Sequence, residues 1–183
     1  MGKLIVSEWI TLDGVFDADT MNEWFIPYHS DSRAAYIQEG ILSCNAILMG
    51  RKTYEMLAPY WSSLKNNEMG IADKMNNTPK YVVSSTMKKA DWNNTTIIIA
   101  DIIEEITNIK HRFNGTILVI GSASLVQSLM NTDLINEYRF LIHPVIMGNG
   151  KRLFNDGMIP KNLKLMQMDT MDSGVILLWY QST

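Results

Sequence analysis

The sequence predicts an α/β domain with a parallel centre and an antiparallel C-terminal edge, and three observations carry that reading. Short apolar runs, AILMG, YVVSS, TIIIA and TILVI, are separated up to about residue 130 by longer segments, several of helical periodicity, as expected of strands covered on both faces. Beyond that point four strand-like segments follow one another with no helix between them. The composition, 46% hydrophobic and 19% charged over 183 residues, is that of a globular chain, long enough to bury roughly two thirds of its unfolded surface. No repeat, low-complexity tract or linker divides it, so residues 1–183 read as a single domain.

Taken in order, KLIVSEWI (Lys3 to Ile10) is a first strand that closes at the TLDG turn. Ser30 or Asp31 can cap a helix in which Ala34, Ile37 and Ile41 recur at i, i+3 and i+7, extending to about Ser43. AILMG is the second strand. Arg51 to Leu57 reads as a short helix ended by Pro59, because a proline pushes its predecessor out of the α region. Ser62 to Thr78 is loop, with a helical turn or two around Ile71 to Met75. Tyr81 to Ser85 and Thr96 to Ala100 are two more strands. A helix follows, with Ile102, Ile106 and Ile109 on one face and Gly115 near its exit. TILVIGSASLVQSLM passes from strand through glycine to helix, and its helix sets Leu125, Leu129 and Met130 on one side. NEYRFLIHPV, MGNGKRLF, LKLMQMDTM and GVILLWYQ then read as strands, with turns at Gly148-Asn149-Gly150 and Asp172-Ser173-Gly174.

Composition also excludes functions. Sixteen basic against nineteen acidic residues give a net charge of −3, which offers no general field for nucleic acid or an anionic membrane, so any anion site is local. No apolar run is long enough to span a bilayer or to serve as a signal segment, and the expected location is cytoplasmic. Cys44 is the only cysteine and sits among apolar neighbours, which reads as a buried thiol. His29, His111 and His143 lack metal-ligand spacing, so no metal is expected. The five tryptophans read first as packing residues, with Trp9 and Trp24 flanking the TLDG loop.

The chemistry concentrates where strands end. In LMGRKT, Gly50 permits close backbone approach, Arg51 and Lys52 bring charge, and Thr53 brings a hydroxyl at a helix start. In VIGSAS, Gly121, Ser122 and Ser124 offer hydroxyls and N–H groups, and in YVVSST, Ser84, Ser85 and Thr86 crowd a strand end. Hydroxyls after a strand also serve simply as turn formers or caps. Three such junctions at neighbouring strand ends nevertheless point to an extended ligand with several phosphates, such as a dinucleotide, although neither GxGxxG nor GxxxxGK[ST] occurs.

Taken together, SEWITLDGVF, ILMGRKTYE, KYVVSST, TILVIGSASLVQSLM and LINEYRFLIHPVIMGNGKRLF resemble the dihydrofolate reductase superfamily. The branch they are similar to is the C-terminal reductase domain of bifunctional riboflavin-biosynthesis deaminase-reductases. The resemblance implies a dihydrofolate-reductase-like mixed, mainly parallel sheet with flanking helices and an antiparallel C-terminal hairpin, with NADPH as cofactor. On the matching positions, Arg51, Lys52, Ser84, Ser85 and Thr86 would meet the 2′-phosphate end. Thr53, Gly121, Ser122, Ala123 and Ser124 would lie along the pyrophosphate, with Gly50 beside them and Leu125 and Val126 opening the supporting helix. A guanidinium fork suits a dianion, and a helix N-terminus suits a pyrophosphate.

Thr11, Asp13 and Gly14 match the loop beside the nicotinamide, and Trp9 and Trp24 would stand on the substrate side. Asp13 and Asp31 are the candidate catalytic acids, with Glu23 as an alternative. In folate reductases a carboxylate on the first helix, roughly four turns before the MGR motif, polarises the pterin; here that spacing falls on Arg33 or Ala34. The function expected is NADPH-dependent hydride transfer to a small heterocyclic or ribosylamino-pyrimidine-like substrate. The alternatives are a non-catalytic NADP(H)-binding module and a true dihydrofolate reductase. The resemblance also implies a possible homodimer, with HPVIMGNGKRLF as an exposed segment for the interface.

Overall fold

The computed structural model describes residues 1–183. Eight strands form one sheet: β1 (Lys3–Thr11), β2 (Cys44–Gly50), β3 (Lys80–Val83), β4 (Thr95–Ile98), β5 (Thr116–Val119), β6 (Ile135–His143), β7 (Leu163–Thr170) and β8 (Ile176–Ser182), ordered β4-β3-β2-β5-β1-β6-β8-β7. Every pair from β4 to β6 is parallel, and β8 runs antiparallel to both β6 and β7. The mixed sheet with its antiparallel C-terminal pair matches the fold class read from the sequence.

Six helices accompany the sheet: α1 (Met21–Trp24), α2 (Asp31–Ser43), α3 (Arg51–Ser63), α4 (Ala72–Asn77), α5 (Ile102–Arg112) and α6 (Ala123–Met130). Strand alternation sends Leu4, Val6 and Ile10 of β1 into a core with Ile106 and Ile109 of α5 and Leu125 and Leu129 of α6. Ile5 and Ile47 face the opposite core, which Ile41 of α2, Tyr54, Ala58 and Trp61 of α3, and Ala72 and Met75 of α4 complete. Cys44 is wholly buried there, and its Sγ donates to Ile41 O at 3.1 Å. Burial pushes that thiol up to about 11, so it is an inert packing group.

Three expectations change. The helix after β2 runs through Pro59 to Ser63 instead of ending near Leu57. Pro59 lies on the exposed face, where water can serve the Glu55 carbonyl it leaves without a donor. Continuing the helix buries Trp61 beside Ala58, and truncating such a tryptophan costs about 3–5 kcal/mol, enough to outweigh an exposed proline's ~3. MGNGKRLF forms no strand beyond one bridge between Val15 and Arg152. Gly148 (φ +75°) and Gly150 (φ +112°) hold it in a loop. Finally, β4 is an edge strand, with Ile98 buried but Thr96 exposed, and is not covered on both faces.

Candidate functional site

Because β3, β2, β5, β1 and β6 are parallel neighbours, their carboxyl ends form one rim in that order, the edge at which open α/β sheets present ligand sites. The three hydroxyl-rich junctions sit side by side on it. Those of β2 and β5 touch: Gly50 N donates to Gly121 O at 3.0 Å. Gly50 begins α3 in an extended conformation, and a Cβ there would overlap Ser122 Oγ. Gly121 has φ +70°, and a Cβ there would stand 2.8 Å from Thr53 Oγ1. Both glycines are therefore required by close approach. The Gly121–Ser122 peptide is cis.

Ser122 is the N-cap of α6 but its side chain caps nothing; its Oγ lies 3.2 Å from Ser124 Oγ instead. The first N–H groups of α6 at Ala123 and Ser124 thus remain without intrahelical partners, at the end where the helix dipole favours an anion. Leu125 and Val126 are buried under the helix and fix its position. The junction brings together two glycines in close contact, the Thr53 hydroxyl and the free N–H groups at the start of α6, groups of the kind that could hold a pyrophosphate.

The outer end of the rim carries the cations. Arg51 Nη1 donates to both oxygens of Glu55, at 2.8 and 2.9 Å, with both side chains about half exposed. Such a pair contributes about 0.3–0.5 kcal/mol, so an incoming phosphate dianion can displace it. Lys52, Ser85 and Thr86 are exposed nearby. Ser84 is buried, and its Oγ accepts from Thr86 N (3.2 Å) and Met87 N (2.9 Å), which makes it the former of that turn.

The TLDG loop is strapped rather than loose. Leu12 N donates to Val145 O, Leu153 N to Gly14 O and Phe16 N to Lys151 O, at 3.0, 3.0 and 2.7 Å. Asp13 is spent on the same strap. Its carboxylate accepts from Thr11 Oγ1 (2.6 Å), Met147 N (3.2 Å) and Gly148 N (2.9 Å), with Arg152 Nη2 at 3.6 Å. The Thr11 hydroxyl first, then the amides of Gly148 and Met147, hold its pKa down at about 2. At neutral pH this carboxylate has no proton to give, so the geometry makes Asp13 a loop clamp. Thr11 also accepts from Val15 N at 2.9 Å, and Gly14 turns the loop at φ +80°.

Asp31 is exposed in the first turn of α2, which Ser30 caps. Its sequence neighbour Ser32 accepts from Asp172 N in the β7–β8 turn, and no hydrogen bond joins Asp31 to the TLDG loop. Trp24 is buried, donates its indole N–H to Thr20 Oγ1 at 3.2 Å, and meets His143 edge-on at 5.3 Å. It is packed on all sides and offers no face to a ligand. Trp9 is half-buried and stacks on Phe25 with ring centroids 4.4 Å apart.

Sequence reasoning missed three polar residues. Glu8 shares the inward face of β1 with Leu4, Val6 and Ile10 and accepts from Gly121 N at 2.6 Å, directly behind the β5 junction. Burial raises its pKa well above the ordinary carboxylate value, and the Gly121 N–H offsets this only in part. The signal was there: one polar residue at an inward position of an apolar strand. Arg33 and His143 are both buried, and Arg33 Nη1 donates to His143 Nε2 at 3.1 Å. Burial first, with the Arg33 charge adding to it, lowers His143 to about 4, so its ring is neutral. His143 Nδ1 lies 3.3 Å from Ile10 O, which assigns the proton to Nδ1 and the acceptor role to Nε2.

No helix is long and apolar enough to cross a membrane. Among solved structures of similar shape is a dihydrofolate reductase from Enterococcus faecalis complexed with NADP(H), with TM-score 0.65 and 13% identity over 99% of this chain and 96% of that one. Another is a deaminase/5-amino-6-(5-phosphoribosylamino)uracil reductase from Thermotoga maritima, with TM-score 0.69 and 16% identity over all of this chain and 57% of that one. At such identities these likenesses establish the fold. An uncharacterized protein of Bacillus subtilis (strain 168), YyaP, is 31% identical over 185 aligned positions, covering 97% of this chain and 94% of the relative. The model of the RibD C-terminal domain matches residues 2–177, and the chain therefore belongs to the RibD C-terminal domain family, whose members are reductases with a dihydrofolate-reductase-like fold.

Proposed function

We propose that this protein is an NADPH-dependent reductase acting on a small heterocyclic substrate of the ribosylamino-pyrimidine kind. The observation that carries the reading is the close contact between Gly50 and the Gly121–Ser122 junction at the N-terminus of α6, an approach that a larger residue at position 50 would prevent. In this reading Ser122, Ala123, Ser124 and Thr53 hold the pyrophosphate, while Arg51, Lys52, Ser85 and Thr86 meet the 2′-phosphate, with Ser84 shaping their turn. NADPH supplies the hydride. The chain aligns donor and acceptor and keeps water out, and the strapped 11–17 loop fixes one wall for that purpose. Because Asp13 is ionised and Asp31 stands apart from the loop, solvent is the proposed proton source.

Tryptophan fluorescence and thermal shift with millimolar NADPH and NADH provide the binding test. The expected result is saturable binding of NADPH and at least tenfold weaker binding of NADH; no response to NADPH would refute the proposal. Oxidation followed at 340 nm with a pterin, pyrimidine and carbonyl panel tests turnover. The second reading, a binding module without catalysis, is favoured specifically by the engagement of Asp13, and it predicts NADPH binding without oxidation on any member of the panel. Dihydrofolate itself is disfavoured, because α2 presents Arg33 to this part of the molecule instead of an acid. The same proposal places the protein in the cytoplasm as a single-domain homodimer. The exposed Ile146 and Phe154 of the 144–154 segment are available for the dimer contact, which light scattering would measure.

A further inference from the structure

The three strands that end the sheet, β6, β8 and β7, have charged and apolar side chains sorted onto opposite sides. On the side shared with α6, the strand registers line up Tyr138, Tyr180 and Leu165 in one row and Phe140, Leu178 and Met168 in the next. On the α2 side, Glu137 and Lys164 stand in one row, Arg139 in the next and Asp169 in the third. These four are the only Asp, Glu, Lys or Arg residues of the three strands, so the α6 side carries no charge at all. A bulge keeps it so. The extra residue, Met166, sits between Leu165 opposite Tyr180 and Gln167 opposite Trp179. With unbroken alternation Met168 would turn over beside Lys164, and Asp169 would join Leu163 and Leu165.

The apolar side is nevertheless uncovered. Along the Phe140 row exposure climbs from 5% at Phe140 through the half-buried Leu178 to 62% at Met168, and all eight residues of β7 are exposed. The 154–159 segment lies over the β6 end only, where Phe154, Met158 and Ile159 border a groove of about 170 Å³ with Tyr138, Phe140 and Leu163. Leu163, Leu165, Met168, Ile176, Phe154 and Ile159 are each between 36% and 62% open. Together they expose roughly 500–600 Å², the upper end of what a monomer shows in one apolar patch and the greater part of the ~800 Å² per partner in a standard interface.

We propose that this side of β6, β8 and β7 packs against the same side of a second copy, sheet on sheet across a two-fold axis, as the inner faces of a sandwich do. A two-fold contact sets a surface against itself, so a charge near the axis meets its own like. An uncharged face escapes that cost, and the chain's net charge of −3 is kept off it. Lys161, at the margin of the groove, is neutralised by Asp133 at 2.9 Å. The inference names the surface for the homodimer of the preceding subsection, with Phe154 at its margin, edge-on to Phe140 at 5.6 Å. It rests on that reading only for the number of copies.

Light scattering on the full chain is expected to give twice the 20.8 kDa chain mass. Leu165→Lys and Met168→Lys, each putting a charge on the face, raise the dimer Kd at least about tenfold. Gln167→Lys, on the other side of the same strand, leaves it unchanged. The wild type supplies a measurement that needs no variant to fold. Met168 is at least as open as Met56 in a lone chain, 62% against 49%, so dilute peroxide oxidises it no more slowly wherever nothing covers it. In the dimer Met168 is oxidised more slowly than Met56, and dilution below Kd abolishes the difference, as peptide mass spectrometry reads. A monomeric wild type, Met168 oxidised as fast as Met56 in concentrated protein, or a dimer indifferent to both lysines would each overturn the proposal. So would a dimer lost equally to Gln167→Lys, which marks pairing of the β7 edges instead. NADPH titration of the same samples separates the two readings: a monomeric wild type that binds NADPH defeats this inference alone, and a dimer of the expected behaviour that does not bind NADPH defeats the reductase reading alone.

Discussion

Replacing Gly50 with alanine adds one methyl group at the point where the β2 and β5 junctions meet. The backbone itself accepts the change, because φ −83° and ψ 163° are extended values open to any residue. The new Cβ would overlap Ser122 Oγ and stand 3.1 Å from both Ser122 Cβ and Ser122 N. The hydroxyl can rotate away, which forfeits its contact with Ser124 Oγ at 3.2 Å, about 0.5–1.5 kcal/mol. With a few tenths of an ångström of backbone adjustment, a cost to folding of about 1–2 kcal/mol follows. At roughly 2–4 °C per kcal/mol for a chain this size, Tm falls by about 2–8 °C. Binding suffers more, because the displaced segment is the one proposed to face the pyrophosphate. Losing one charge-assisted hydrogen bond, about 1.5–3 kcal/mol, raises the NADPH Kd roughly 10- to 150-fold. Fluorescence titration measures Kd and differential scanning fluorimetry measures Tm on the same samples. Gly121→Ala is the companion variant: at φ +70° and 2.8 Å from Thr53 Oγ1 it lowers Tm further. A Gly50→Ala protein whose NADPH Kd stays within twofold of wild type, with Tm lowered as expected, refutes the assignment of this contact to the cofactor site.

Three further outcomes are expected. Burial raises the pKa of Glu8 in the fold well above its ordinary value of about 4.5; the stability linked to its proton is therefore complete below that value and is lost as pH rises toward the folded one. Glu8→Gln retains an acceptor for Gly121 N–H and does not titrate, so its Tm is flatter than wild type from pH 5 to 8 and higher at pH 8; a parallel pH profile would count against the buried acid. His143, neutral in the fold with its pKa lowered to about 4, stabilises fully above its unfolded value of about 6.5 and loses that contribution as pH falls to about 4, by at most about 1.4 kcal/mol per pH unit. His143→Gln removes this acid-side slope in calorimetry, and a variant with the wild-type slope contradicts it. Pro59→Ala restores a donor for the Glu55 carbonyl in α3 and raises Tm by about 2–4 °C; a lower Tm would mean that the exposed ring contributes packing.

What could be read from the sequence and what could not divides along physical lines. The span of α2 and the inward faces of α5 and α6 followed from periodicity because Ile41, Ile106, Ile109, Leu125 and Leu129 all enter the two cores. α3 was cut short because a local rule about Pro59 was weighed without Trp61, whose burial is a tertiary fact. The segment 147–154 has a strand-like alternation, but its partners are the loop residues Val15, Phe16 and Asp13, far away in sequence. The residue types at the junctions pointed to the rim, since glycine and hydroxyls after a strand have few uses. Their division of labour did not: Ser84 shapes a turn, Arg51 lies on Glu55, and Asp13 spends its carboxylate on Thr11, Met147 and Gly148. Glu8, Arg33 and His143 escaped because each is a single polar residue in an apolar setting, and only the fold shows that two of them meet.

The place of β1 in the middle of the sheet has a consequence for how the chain is born. This strand, made before every other strand of the sheet, pairs only with β5 and β6, at residues 116–119 and 135–143. At about 5–20 residues per second, roughly 7–26 s of synthesis separate the end of β1 from the end of β6. Until then Leu4, Ile5, Val6 and Ile10 have no sheet to enter, and Glu8 has no Gly121 to hold. The β5–β1–β6 part of the rim thus forms only once residue 143 has been made, and such long-range pairing is the slow kind.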